Sequence, residues 1–250
     1  MSTSSFTEIV ESYVRRYSVN CRSFFTKDSK IEMSSFMDLF KENHAIWSHD
    51  GDPNKPHVDL GGEVCCSDGY VDCLKVLNRP LISEFLACQL LFCLEDLFIY
   101  LHTKVDWVIC SSEKEIMFAG DLARLINARV GFTEKDRESD TGMKWDRWVI
   151  GSGETVLQIE GVVGNGRNLN LARRTVKRDN PFRAKWLPFV GALVHCPSKL
   201  PFEEHNGMKL TALIELEIKK WSSKTCPLCK RGSKSIPFKG NESIFLKEYI

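Results

Sequence analysis

Apolar positions follow two spacings along the chain, and the alternation between them predicts the fold class. Short continuous apolar runs are typical of buried strands, whereas apolar residues that recur every three or four positions are typical of a helix. From residue 105 onward the two patterns alternate, which favours an α/β fold with a mostly parallel sheet between helices. The predicted strands are 105–110, 129–132, 156–159, 189–194 and 212–218, and the predicted helices are 116–128 and 169–177.

Before residue 105 the pattern predicts mainly helices. Ser5 and Glu8 are the two ends of a capping box, and the apolar stripe that follows predicts a helix in the first part of the chain. A second helix begins near Ser35, and Pro80 occupies the first position of a long apolar helix. Two polar segments are predicted to be loops, and a third segment is predicted to be extended. In that order these segments are 48–63, 133–144 and 145–150.

The long apolar stretch at 81–101 has the length of a membrane span, but its polar residues argue against one. Glu84, Gln89, Glu95 and Asp96 lie within it, and carboxylates are costly in hydrocarbon. The first residues also lack the basic and apolar regions of a secretion signal. We therefore expect a cytoplasmic protein without membrane contact, in which the cysteines are reduced.

The composition is that of a folded protein and excludes several classes. Apolar residues make up 43% of the 250 positions and charged residues 27%, which excludes a disordered, collagen-like or coiled-coil chain. The net charge is +1, so the chain as a whole does not attract nucleic acid. A local basic patch remains compatible with this balance.

The most informative segment is a buried strand that ends in a carboxylate and leads into a glycine-rich turn. Glu160 lies at the end of this strand, and a helix begins shortly after the turn. Backbone N–H groups in such a turn can surround a phosphate, and the helix dipole favours an anion there. The alternative is a turn in which the glycines only allow positive φ. The candidate phosphate- and ribose-binding residues are Gly161, Gly164, Asn165, Gly166, Arg167 and Asn168.

A second candidate site is a cluster of basic residues in the helix after the turn. Arg173, Arg174, Lys177 and Arg178 share one side of this helix through i+3 and i+4 spacing. Such a stripe can bind the phosphates of nucleic acid or the acidic surface of a protein partner. The alternative is a solvated helix face without a partner.

A third candidate is the pair Cys226 and Cys229, which have the spacing of half a zinc site. A structural Zn²⁺ ion needs four ligands, so other residues would have to complete the site. Two alternatives remain open, a pair of plain reduced thiols and a redox-active pair. The residues that could complete a zinc site are Cys65, Cys66, Cys73, His195 and Cys196.

Five segments, taken in order, resemble segments of the orotate phosphoribosyltransferases. The resemblance extends over about residues 35–235 and implies a type I phosphoribosyltransferase fold, which is a parallel sheet flanked by helices with a small hood over the substrate. The matched features are a substrate-side segment, the first parallel strand, the entry to a mobile catalytic loop, the phosphoribosyl-pyrophosphate (PRPP) motif and the tail of a bacterial and archaeal subgroup. In that order they are 67–77, 105–110, 128–135, 153–168 and 225–233.

This resemblance divides the chain into three parts and implies a reaction. Residues 1–34 form an N-terminal helical extension, 35–225 the phosphoribosyltransferase-like domain, and 226–250 a C-terminal tail with the two paired cysteines. The family uses PRPP and Mg²⁺, and a nitrogenous base displaces pyrophosphate at the anomeric carbon. The resemblance also implies a homodimer in which the mobile loop of one chain reaches the site of the other.

The resemblance assigns roles to individual residues. Glu160 would hold the ribose hydroxyls and Lys135 would contact pyrophosphate, so these two are the candidate catalytic residues. For Lys135 a solvated loop lysine is the alternative. The glycine turn would hold a 5′-phosphate. The pyrophosphate-side loop contributes Ser111, Ser112 and Lys114.

Three departures from the family pattern bear on the substrate. Gly161 stands where the family has a second acid beside Glu160. Glu113 and Glu115 lie in a loop that is normally glycine-rich, where their charge would repel pyrophosphate. Cys196 stands where an arginine helps to bind orotate, and a thiol cannot make that bidentate contact. We therefore expect a substrate other than orotate.

Two functional hypotheses follow. In the first, the protein is a phosphoribosyltransferase-like enzyme that binds PRPP or a nucleotide and transfers the ribosyl group to a base, or cleaves it from one. In the second, it is a catalytically inactive subunit whose basic helix binds nucleic acid or a protein partner. Accessory effectors of bacterial antiviral defence cassettes, such as some retrons, offer a fold-level analogy for the second hypothesis.

Overall fold

The structure is a computed structural model of the chain. It describes residues 32–62, 65–101, 104–140, 142–196 and 208–245, with the side chains of 95–101 excepted. The capping box at Ser5 and nearly all of the predicted N-terminal extension lie outside the described residues.

Helices and strands of very different lengths make up the described part of the chain. The helices are α1 (Met33–Glu42), α2 (Leu74–Leu77), α3 (Pro80–Leu101), α4 (Ile116–Ile126), α5 (Arg167–Asp179), α6 (Pro227–Lys230) and α7 (Glu242–Phe245). The strands are β1 (Ile46–Ser48), β2 (His57–Asp59), β3 (Cys66–Ser67), β4 (Gly69–Val71), β5 (Trp107–Cys110), β6 (Arg129–Phe132), β7 (Glu134–Lys135), β8 (Met143–Lys144), β9 (Thr155–Val163), β10 (Lys185–His195), β11 (Lys209–Glu215), β12 (Lys220–Trp221) and β13 (Ser235–Pro237).

A five-stranded sheet with the order β11-β10-β9-β5-β6 forms the centre of the molecule, and all of its strands are parallel. Its middle strand β9 is buried along nearly its whole length, as expected for a strand covered on both faces. Leu157 and Ile159 of β9 pack into the larger core together with α3 and α4. Val156 faces the other way and packs in the same cluster as Val176 of α5. The predicted α/β architecture is therefore confirmed.

The close packing of α3 on the sheet depends on a glycine in β10. A Cβ atom at Gly191 would lie 2.9 Å from Leu90 Cδ2 and 3.2 Å from Leu94 Cδ1, both on α3. Interiors at crystal-like density leave no room for an added methyl group there. No helix in the described part of the chain combines the length and the apolar character needed to cross a membrane.

A second sheet with the order β12-β3-β2-β13 lies outside the main sheet and joins distant parts of the chain. Its strand β2 falls within 48–63, which the sequence pattern predicts to be a loop, so that prediction is wrong at 57–59. The strand forms because Val58 pairs with Ile236 on one side and with Ser67 on the other. The tail from residue 226 to residue 245 thus contributes a strand and two helical turns to this part of the fold.

Two further predictions need correction. The polar segment 133–144 is not only a loop, because β7 and β8 pair within it as a hairpin. The segment 145–150, predicted to be extended, forms no strand. Instead Asp179 accepts a hydrogen bond from the Trp145 N–H (2.9 Å), and Asn180 accepts one from the Ile150 N–H (2.8 Å). These bonds attach the segment to the carboxyl end of α5, which satisfies backbone groups that a strand would pair with a neighbour.

The fit between β6 and the 145–150 segment gives a stability prediction. A Cβ atom at Gly131 would lie 2.5 Å from Cη2 of the buried Trp145 ring. We expect Gly131→Ala to lower the free energy of unfolding by about 1–3 kcal/mol through overpacking. The control is Gly120→Ala in α4, where an added Cβ meets nothing within 4 Å and the free energy should rise by up to about 1 kcal/mol. Urea denaturation measures both, and equal effects of the two variants would contradict the packing described.

Candidate functional site

Near the carboxyl end of β9 lies a buried glutamate whose two carboxyl oxygens each accept a hydrogen bond. Glu160 is 3% exposed. The Ser111 hydroxyl, from the end of β5, donates a short hydrogen bond to Glu160 Oε2, and Gln158 Nε2 donates one to Oε1 at 2.8 Å. Gln158 Oε1 in turn accepts a bond from Arg173 Nε of α5 at 2.7 Å. Glu160 therefore belongs to a polar network that links β5, β9 and α5.

A second carboxylate lies next to this network and comes from a different segment. Ser112 precedes a short 3₁₀ turn, Glu113–Glu115, and Glu115 Oε1 accepts a hydrogen bond from the Gly161 N–H at 3.0 Å. A Cβ atom at Gly161 would lie 3.0 Å from the same oxygen. Glu115 Oε2 is buried and has no hydrogen-bond partner among the described residues. The Glu115 carboxylate thus occupies the space that a side chain at position 161 would take.

Burial sets the charge of this pair. Removal from water and, to a smaller extent, the nearby Glu115 charge raise the pKa of Glu160 to about 8, although the bonds from Ser111 and Gln158 oppose the shift. Burial also raises the pKa of Glu115 to about 7 against the stabilising Gly161 N–H. Near neutral pH Glu160 is therefore mainly protonated and Glu115 is about half ionised. Burial lowers the pKa of Arg173 to about 10, which leaves its guanidinium charged.

The glycine-rich turn forms a cationic end on the same strand. The predicted turn starts too early, because β9 continues to Val163 and only then does the chain turn. Gly166 adopts a φ of 71° directly before α5, and as the N-cap residue it has no side chain to cap that helix. A Cβ atom at Gly164 would lie 3.9 Å from Lys220 Nζ of β12. Lys220 is exposed and forms no salt bridge within the described part of the chain.

The remaining predicted turn residues lie at the start of α5. Asn165 Oδ1 accepts a hydrogen bond from the Arg167 N–H at 3.2 Å, and the side chains of Arg167 and Asn168 are exposed.

The other residues of the predicted pyrophosphate side lie near the same edge of the sheet. Ser112 Oγ accepts a hydrogen bond from the Lys114 N–H at 3.2 Å, and the Lys114 side chain is exposed. Lys135 is exposed on β7 of the hairpin. Arg178 holds this hairpin to α5 by donating to Ser139 Oγ at 2.8 Å and to the Met143 carbonyl at 2.9 Å.

The predicted basic stripe on α5 is not one exposed surface. Arg173 points inward, where it bonds to Gln158, and its guanidinium lies 4.8 Å from the ring centre of Trp186. Arg178 is paired with Asp140 and Asp179. Arg174 and Lys177 remain exposed, with Arg174 at 4.0 Å from Asp140. The predicted shared exposed side is therefore correct only for Arg174 and Lys177, because Arg173 is bonded to β9 and Arg178 to the β7–β8 hairpin.

The paired cysteines lie in a separate cluster under the small sheet. Cys226 and Cys229 approach His57 of β2 and Cys66 of β3. Neither Cys73 nor Cys196 belongs to this cluster, since Cys73 Sγ lies 3.4 Å from the Gly161 carbonyl and Cys196 lies at the end of β10. Sequence reasoning missed His57 as well as the roles of Glu115 and Lys220. For none of the three does a local motif signal the position, because each is brought in by tertiary packing.

Comparison of this architecture with solved structures defines the class of protein. The orotate phosphoribosyltransferase of Aeropyrum pernix superposes with a TM-score of 0.51 at 15% identity, covering 72% of this chain and 93% of that one. The adenine phosphoribosyltransferase of Saccharomyces cerevisiae gives 0.53 at 15% identity, with 72% and 99% covered. The fold is that of the type I phosphoribosyltransferases.

Sequence comparison narrows this class to a family. The orotate phosphoribosyltransferase of Caldanaerobacter subterraneus is 30% identical over 204 residues, which cover 81% of this chain and 94% of the relative. That of Caldicellulosiruptor bescii is 26% identical over 204 residues, covering 79% and 92%. No family model matches the chain. The chain belongs to the orotate phosphoribosyltransferase family, as the resemblance of its ordered segments indicated.

The buried carboxyl pair predicts a pH-dependent stability. Between the ordinary glutamate pKa of 4.5 and about 8 the folded chain binds more protons than the unfolded chain, so the free energy of unfolding falls as pH rises through this window. The slope is at most about 1.4 kcal/mol per pH unit for each proton. Glu160→Gln should flatten this dependence in urea denaturation at several pH values. The exposed-site control Glu217→Gln should keep the wild-type slope, and an unchanged slope in Glu160→Gln would contradict the assignment.

The contact between Glu115 and Gly161 predicts a non-additive pair of substitutions. Gly161→Asp should lower the free energy of unfolding by about 1–3 kcal/mol, because the new side chain and the Glu115 carboxylate compete for one space. Glu115→Ala empties that space, so the same change should cost much less in the Glu115→Ala background. A double-mutant cycle by chemical denaturation measures the coupling. Equal costs of Gly161→Asp in both backgrounds would show that the two residues do not compete.

Proposed function

We propose that the protein binds a 5′-phosphorylated ribose compound, a nucleotide or PRPP, at the carboxyl ends of β5 and β9, and that orotate is not its substrate. The observation that carries this proposal is a helix end whose N-cap, Gly166, has no side chain, with Lys220 at the glycine turn and the Glu160 and Glu115 carboxyl groups near the end of the same strand. Ligands of open α/β sheets bind at this edge. The family membership supports the same location.

The glycine turn is suited to the 5′-phosphate. The first N–H groups of a helix lack intrahelical partners, and the helix dipole favours an anion beside them. The turn residues Gly164 and Gly166 leave the backbone accessible, and Lys220 adds a positive charge next to Gly164. The resemblance implies a threonine-rich phosphate loop, but the turn at 164–168 has no threonine, so backbone N–H groups and Lys220 would supply the donors instead.

The carboxyl pair is suited to the ribose hydroxyls. In the family pattern two adjacent acids accept these hydroxyls, and here Gly161 removes the second acid. Glu115 supplies a carboxylate at the same place from another segment, and its Oε2 atom has no partner in the described chain. A hydrogen bond to a charged acceptor is worth about 1.5–3 kcal/mol. We therefore assign the ribose contacts to Glu160 and Glu115 together.

The loop that would contact pyrophosphate is acidic. Glu113 puts negative charge in this loop and Glu115, with a pKa of about 7, is partly ionised near neutral pH, while Lys114 is the one cation among the three. Like charges at contact distance repel. A nucleoside monophosphate should therefore bind more tightly than PRPP. Mg²⁺, which the family resemblance implies, would neutralise pyrophosphate charge. Glu115 Oε2, which has no hydrogen-bond partner among the described residues, would then hold the ion in place of a ribose hydroxyl.

The base is expected to lack a carboxylate. Cys196 is buried at the end of β10, and burial raises its pKa to about 11 although the nearby Lys220 charge opposes the shift. The thiol is therefore neutral at physiological pH and offers no bidentate donor to orotate. As part of the proposal we retain a homodimer with Lys135 at the pyrophosphate side. The inactive nucleic-acid- or protein-binding subunit is the weaker alternative, because Arg173 and Arg178 are engaged within the chain.

Calorimetric titration tests the proposal with a matched pair of lysine variants. We expect measurable heat with AMP or UMP, and weaker binding of PRPP. Lys220→Ala should weaken nucleotide binding about ten- to 150-fold, which corresponds to the loss of one charge-assisted bond. Lys219→Ala, whose lysine pairs with Glu217, should bind like the wild type. Absence of heat with both nucleotides and PRPP, or equal effects of the two lysine variants, would refute the proposed site.

A further inference from the structure

Four potential metal ligands converge from distant parts of the chain below the small sheet. They are His57 of β2, Cys66 of β3 and the two cysteines that flank the first turn of α6, Cys226 and Cys229. Their ligand atoms all lie within 4.8 Å of one another. We propose that these four residues bind a structural Zn²⁺ ion, a site separate from the ligand site at the end of β9.

The distances within the cluster match a zinc tetrahedron. With Zn–S of about 2.3 Å and Zn–N of about 2.0–2.1 Å, tetrahedral geometry puts sulfur atoms about 3.8 Å apart and sulfur about 3.5 Å from nitrogen. Cys66 Sγ lies 3.7 Å from Cys229 Sγ. His57 Nε2 lies 3.6 Å from Cys226 Sγ and 3.4 Å from Cys229 Sγ. These three of the six pairwise distances are those of a zinc-bound set and not of a disulfide, and the other three pairs lie within 4.8 Å.

Hydrogen bonds outside the cluster fix His57 in the state that binds metal. The Ser233 hydroxyl donates to the Lys55 carbonyl at 2.7 Å. Because its one proton is used there, Ser233 Oγ accepts from Nδ1–H of His57, which lies at 2.8 Å. The ring then presents an unprotonated Nε2 to the three sulfur atoms. A histidine that ligates zinc typically donates its other N–H in this way.

Burial and backbone contacts also fit a closed structural site. His57, Cys66 and Cys226 are fully buried, and Cys229 is half-buried. The Cys229 N–H points to Cys226 Sγ at 3.5 Å, so the turn of α6 holds both sulfur atoms on one side. Four protein ligands without an open position are typical of structural zinc and not of catalytic zinc. Cys65 Sγ lies 3.8 Å from Cys66 Sγ, but it is not among the four ligand atoms that all lie within 4.8 Å of one another.

The site would add a covalent-strength link between segments that already share a small apolar cluster. The buried apolar clusters around the small sheet are small; one of them contains Trp47, Val58, Phe238 and Phe245. Folds with few buried apolar residues commonly use a metal to supply stability. Zinc would tie β2 and β3 to the tail segment that begins at residue 226.

Metal analysis of the full-length protein tests the proposal. We expect one zinc ion per chain in the wild type and in Cys65→Ser, and loss of zinc in Cys226→Ser and Cys229→Ser. Cys65→Ser is the matched control, since it removes a neighbouring thiol outside the cluster. After chelation, added Co²⁺ should give the intense visible and sulfur-to-metal charge-transfer bands of tetrahedral thiolate coordination in the wild type and Cys65→Ser.

A second variant keeps the test decisive if the cysteine variants do not fold. Ser233→Ala leaves all four ligands in place and should weaken zinc affinity about ten- to 100-fold, because His57 loses its orienting partner. Chelation of the wild type should lower its melting temperature, and Zn²⁺ but not Mg²⁺ should restore it. A folded wild-type protein that contains no zinc and gives no cobalt bands would overturn the proposal, as would equal zinc loss in Cys65→Ser.

Discussion

The hydrogen bond from the Gly161 amide to the Glu115 carboxylate is the contact on which the rest of the site depends. It places an acid from the β5 side next to the acid of β9 and requires a residue without a side chain at 161. Two carboxyl groups from different segments are thus brought together. Both lie in a poorly hydrated place, so their charge depends on what binds beside them.

A separate set of hydrogen bonds holds the Glu160 carboxyl group in the protein. Ser111 and Gln158 satisfy its oxygens, and Arg173 completes the network from α5. A buried carboxyl group without such partners would be costly. The arginine that the helical pattern puts on a solvent face is therefore committed to the interior, which weakens a nucleic-acid-binding role for α5.

Much of the fold follows from local pattern, and most of the site does not. The helix stripe of α1, Pro80 at the start of α3 and the apolar run of β9 each carry their own signal. Strand β2 carries none, because its partner β13 lies far along the chain and pairs with it only after folding. The glycine turn was predicted from sequence, whereas Glu115 and Lys220 reach it from other segments. Likewise the spacing of Cys226 and Cys229 indicates half of a metal site in the sequence. No sequence spacing indicates His57 and Cys66, which form the other half.

The most direct test of this account is a site-resolved titration of the Glu115 and Glu160 carboxyl carbons by ¹³C NMR, assigned with Glu115→Gln and Glu160→Gln. The account predicts that both titrate well above ordinary glutamates as an interacting pair, and that Glu115→Gln lowers the pKa of Glu160. Titration of both groups in the range of exposed glutamates, with no effect of one substitution on the other, would contradict it.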